Sequence, residues 1–208
     1  MAGAYYTHFY SGIYMDMNDD RTNPRNPYTT FFHEMGHMID NTLPELIKGQ
    51  NTNWWHNPYV SSGYSSYSED FYNNLITDVG NYRNNYIYDT SKFSSADAAI
   101  SDELRGARKS EFSDLFGGAT DNQVVGSYGH WDSKVLWWTD SYWDFNDKTG
   151  KPAENGQYNK EAFAHFTEIS IMQDQQDIDD LQRYFPNAYT TYDQMISEME
   201  ALLNESRK

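Results

Sequence analysis

The chain has 208 residues, no cysteine and a formal net charge of −16. That length suits one domain, residues 1–208, able to bury a core without staples, and the missing thiols exclude disulfides and thiolate metal ligands. The acidic balance argues against a nucleic-acid-binding surface, and no stretch approaches the length of a membrane span, so the expectation is a soluble chain with neither partner.

Met1 to Tyr6 lacks a basic segment followed by an apolar run, so no signal peptide is expected. The abrupt start as strand or loop fits a domain excised from a longer polypeptide. Gly12-Ile13-Tyr14-Met15-Asp16-Met17 alternates apolar and polar positions, as in a half-buried strand, whose free edge is a candidate for pairing with an extended peptide. Pro24, Pro27 and Thr29-Thr30 predict a loop and a helix N-cap before Phe31, Phe32, Met35, Met38 and Ile39. That helix is expected to end near Leu43-Pro44. Residues 49–67 show no clear period and read as a long loop.

Ser68-Glu69-Asp70 marks a second helix start, followed by a core stripe of Phe71, Leu75, Val79 and Tyr82. Further helices are expected over 95–105, capped by serine, and over 110–116, ended by Gly117-Gly118. Residues 123–145 are densely aromatic and read as short strands and loops. After a turn-rich stretch, Glu161-Ala162-Phe163-Ala164 opens another helix, Pro186-Asn187 breaks it or its successor, and 192–203 forms the last. Most of the 18 Tyr and 6 Trp are expected to fill the core.

The chemistry concentrates in His33-Glu34-Met35-Gly36-His37. Residues i and i+4 share a helix face, so both imidazoles can bind one zinc ion while Glu34 lies beside it as a general base. Gly36 costs about 1 kcal/mol of helix propensity relative to Ala, which predicts that something packs closely against it.

A catalytic zinc needs a third protein ligand. Asp40 lies too far along the helix and is expected either to orient an imidazole or to cap the helix. The HExxHxxGxxH pattern fails, since Asp40 takes its glycine position and Leu43 its last-ligand position. Glu161, at the start of a distant helix, is the first candidate, and His130, His165 and Glu168 are the alternatives.

These residues resemble a known group. His33-Glu34-Met35-Gly36-His37-Met38-Ile39-Asp40 is similar to the zinc-binding helix of lethal factor-like metalloproteases and the related Pro-Pro endopeptidases, and Glu161-Ala162-Phe163-Ala164 is similar to their third-ligand segment. The resemblance implies an α+β, mainly helical zincin-like domain with a small mixed sheet beside the HExxH helix. It also implies a gluzincin-type endopeptidase with His33, His37 and Glu161 on Zn2+ and Glu34 as base. Members of the group place a tyrosine near the oxyanion in a Ser-Tyr-Gly context. Ser127-Tyr128-Gly129 carries that context, while Tyr158 lies nearer the ligand glutamate; His130 and Tyr142 are further candidates. His165 departs from the group, which has an acidic residue there.

Ser113-Asp114-Leu115-Phe116-Gly117-Gly118-Ala119-Thr120, Gly126-Ser127-Tyr128-Gly129-His130-Trp131 and Tyr184-Phe185-Pro186-Asn187 also resemble the metalloprotease-type C-terminal region of minor head proteins in phages and prophages of Gram-positive bacteria. This implies a virion-associated or bacterial cytoplasmic location, with phage head proteins as partners beside a peptide or protein substrate. The competing expectation is a non-catalytic structural or binding domain of a phage head that retains the zinc site.

Overall fold

The computed structural model describes residues 5–7, 12–48, 59–106, 109–120, 123–124 and 157–208. Two short strands, β1 (Tyr5–Thr7) and β2 (Gly12–Tyr14), pair antiparallel with Tyr6 opposite Ile13. Among the described residues this pair is the whole sheet, and it is antiparallel, where the resemblance implied a small mixed sheet. Tyr5 and Tyr14 stack on its outer face with ring centroids 5.4 Å apart. The strand expected to reach Met17 stops at Tyr14, because Met17 opens the short helix α1 (Met17–Arg21).

Helix α2 (Thr29–Lys48) carries the HExxH motif. Its first orphan amides are satisfied from α1: the buried Asp20 accepts from Thr30 N at 3.1 Å and Phe31 N at 3.0 Å. Contrary to expectation, α2 runs through Pro44. Proline lacks the N–H that would bond the carbonyl four residues back, so the Asp40 carbonyl is released and accepts instead from Val60 N at 3.0 Å.

Helix α3 (Ser68–Asn85) buries the expected stripe of Phe71, Leu75 and Val79. Helix α4 (Ala96–Glu103) is capped by Ser95, whose hydroxyl accepts from Ala98 N at 3.2 Å. Helix α5 (Ser110–Thr120) continues through Gly117 and Gly118, which are buried inside it rather than ending it.

Three helices close the chain: α6 (Gln157–Met172), α7 (Gln175–Tyr184) and α8 (Pro186–Ser206). Pro186 starts α8, where a missing N–H costs nothing, and the buried Asp78 of α3 accepts from Asn187 N and Ala188 N, both at 2.9 Å. The core is rich in aromatic rings, chiefly phenylalanines such as Phe71, Phe116, Phe163, Phe166 and Phe185; among the described tyrosines, Tyr158, Tyr184 and Tyr192 are buried, while others such as Tyr72 and Tyr82 pack against it half-buried. The six tryptophans and the expected strands over 125–145 lie outside the described residues.

Candidate metal centre

Among the described residues, helices α2 and α6 form the most extensive packing pair. Asn26, just before α2, donates to Asp174, just after α6, at 3.3 Å, while His37 further along α2 meets Glu161 near the start of α6, so the two run in opposite senses. A Cβ on Gly36 would lie 2.7 Å from Ala164 Cα and 2.9 Å from its carbonyl oxygen, so glycine is what allows the two backbones to touch. This is the close approach that the sequence called for. It brings His33 and His37 against Glu161, His165 and Glu168, which follow one another on the facing side of α6.

Glu161 bridges the two motif imidazoles. Its Oε2 lies 3.3 Å from His33 Nε2 and its Oε1 lies 3.5 Å from His37 Nε2. The His33 and His37 rings meet edge to face at 4.8 Å, and His165 tilts against His33 at 4.4 Å. One ligand atom each from His33, Glu161 and His165 lies within 4.8 Å of the others, close enough to hold a metal ion. Glu168, on the inner side, places Oε2 3.5 Å from His33 Nδ1 and 3.7 Å from His165 Nδ1.

The electrostatics follow from burying this much charge. Burial disfavours a proton on His33, but Glu161 and Glu168 outweigh it and raise the group to about 10. Burial also lowers His165, to about 4, with the charge of His33 pushing the same way. Glu161 is opposed by its own burial yet sits well below the usual carboxylate range because His37 and His33 hold it ionised.

These residues fit a zinc ion. The donors are imidazole nitrogens and carboxylate oxygens with no thiolate, a set that zinc accepts. Among the described residues, His33 Nδ1, both nitrogens of His165 and Glu168 Oε2 are buried without a hydrogen bond. Native cores avoid such atoms unless something else satisfies them.

Glu34 is buried and turned toward the sheet, where its Oε2 accepts from Tyr6 N at 2.6 Å. The Tyr6 amide therefore points away from β2, and Tyr6 Oη donates to Asn41 Oδ1 at 3.0 Å, pinning the strand to α2. The strand that reaches the motif glutamate is thus β1.

Asp40 plays neither expected part. It is fully buried inside α2, and its carboxylate accepts from Ser61 N and Ser61 Oγ, both at 2.7 Å, so it fastens the segment after residue 58. Tyr158 is packed in the core, its ring 6.3 Å from that of Tyr72. Tyr72 stands on α3, so the Tyr158 ring faces that helix. Tyr128, His130 and Tyr142 lie outside the described residues.

Two residues of the centre had no role assigned from sequence. The first is the Tyr6 amide, which no side-chain pattern can announce. The second is Asp114 of α5, raised to about 7 by burial and by the charge of Glu161, against the pull of His33 and Arg25. It belongs to the Ser113-Asp114-Leu115 segment already noted for its resemblance, the one signal that marked it. Among the described residues, no helix is long and apolar enough to cross a membrane. Comparison of the chain with protein-family models, with curated proteins and with solved structures finds no match.

Proposed function

We propose that the chain is a zinc-dependent endopeptidase with His33, His37 and Glu161 as metal ligands. The observation that carries this reading is the placement of both motif imidazoles on the two oxygens of one half-buried carboxylate, 3.3 and 3.5 Å away. Zinc held there supplies Lewis acidity, which makes water acidic near neutral pH and polarises a peptide carbonyl.

The chain's own residues supply the rest. Glu34 takes a proton from the attacking water and passes it to the leaving amine. The Tyr6 amide fixes one oxygen of that carboxylate, leaving Oε1 for proton transfer.

A second reading is supported by one observation: His165 brings a further imidazole to the same centre. A non-catalytic phage-head domain that keeps the ion for stability has use for such a residue but none for a free base. Replacing Glu34 with Gln separates the two. The peptidase reading predicts that cleavage of a quenched-fluorescent peptide library is lost while zinc content is unchanged. A library left intact by the zinc-loaded wild type overturns it.

A further inference from the structure

His165 and Glu168 stand one and two turns beyond Glu161 and have no part in the three-ligand set. Both are almost wholly buried, at 3 % and 4 % exposure, and an apolar pair there would be cheaper to fold. Neither nitrogen of His165 finds a hydrogen bond among the described residues, nor does Glu168 Oε2. Glu168 stands on the Nδ1 side of His165, so it is the buried Nε2 that simple packing leaves unexplained.

Glu168 faces the same atom of two rings, lying 3.5 Å from His33 Nδ1 and 3.7 Å from His165 Nδ1. An ionised carboxylate only accepts hydrogen bonds, so it favours the tautomer that carries its proton on Nδ1 in both rings. Each then keeps a lone pair on Nε2. For His33 that nitrogen already faces Glu161 Oε2 at 3.3 Å, and His165 falls within the same 4.8 Å cluster. His37 approaches Glu161 through its other oxygen, so the two histidines flank the shared carboxylate without competing for it.

We propose that His165 is a fourth protein ligand of the metal centre and that Glu168 is the positioning residue that turns the Nε2 atoms of His33 and His165 toward the ion. This rests on the zinc reading above. With His165 the chain would offer three imidazoles and one carboxylate, the number of protein ligands found in closed zinc sites.

The test is a long-range proton–nitrogen NMR correlation of the histidine rings, assigned by connection to the backbone, on the full chain with one equivalent of zinc. The expected result is Nε2 ligation at His33, His37 and His165, with Nδ1 protonated in His33 and His165. His165→Phe is expected to leave two ligated rings, and Glu168→Gln to weaken zinc binding about ten- to a hundredfold. Ligation at His33 and His37 alone in the wild type overturns the proposal and leaves the three-ligand reading intact. No ligated ring overturns both. Unchanged zinc affinity in Glu168→Gln removes the positioning role. The wild-type spectrum gives the count by itself, so a misfolded His165→Phe does not spoil the test.

Discussion

Glu34 is oriented by a main-chain amide, and this ties the candidate base to the sheet. The 2.6 Å contact from Tyr6 N is a charge-assisted bond, strong enough to hold one carboxylate oxygen in place while the other remains available. Glu34→Gln keeps the shape and removes the base; peptide turnover is expected to fall by at least about a hundredfold, with zinc content unchanged by elemental mass spectrometry. Asp40 illustrates a different use of a buried carboxylate. Its two bonds to Ser61 and the carbonyl freed by Pro44 together anchor residues 59–61 on α2. Asp40→Ala strands the Ser61 amide in a buried site and is expected to cost about 1–3 kcal/mol in urea unfolding.

At the scale of elements, the contact between α2 and α6 decides the geometry of the centre. Gly36→Ala places a methyl against the Ala164 backbone, which no side-chain rotation relieves. The helices are expected to part, lowering stability by about 1–3 kcal/mol and weakening zinc binding, as urea denaturation and metal titration would show. An unchanged zinc affinity contradicts the close-contact argument. Much of this level was legible in the sequence: the periodicity of Phe71, Leu75 and Val79 marked α3, Ser95 marked the start of α4, and the cost of Gly36 foretold the helix contact. The failures have physical causes. Pro44 did not stop α2 because Val60 N supplied a partner for the carbonyl it freed, and Gly117-Gly118 did not end α5 because both are buried in it. The cap of α2 comes from Asp20, a residue outside the helix, and the cap of α8 comes from Asp78, more than a hundred residues away; neither is visible in a local window. His33, Glu34, His37 and Glu161 could be put forward from sequence because metal chemistry fixes residue types, and the structure brings His33 and His37 onto Glu161, whereas the Tyr6 amide left no such trace.

Across the whole molecule, Glu103 joins three helices. It accepts from Tyr86 Oη at 2.7 Å, Tyr184 Oη at 2.6 Å and Arg183 Nη1 at 3.0 Å, linking α3, α4 and α7. Burial alone would raise its carboxyl, but the tyrosine hydroxyls and the Arg183 and Lys109 charges outweigh that and hold it below the usual range. A lowered carboxylate adds stability above its unfolded pKa and loses it as pH falls through the folded value. Glu103→Gln is therefore expected to cost about 1–3 kcal/mol at pH 7, with the difference from wild type shrinking as the medium is taken below about pH 4. Urea unfolding at the two pH values checks this; a gap that stays constant or widens in acid contradicts it.

The central claim is that Glu161 joins His33 and His37 on one zinc ion. The direct measurement is metal content, by mass spectrometry, of the wild type and Glu161→Ala purified without added metal. The account predicts about one zinc per folded wild-type chain and a sharp fall in the variant. Equal zinc in both, or none in either, contradicts it.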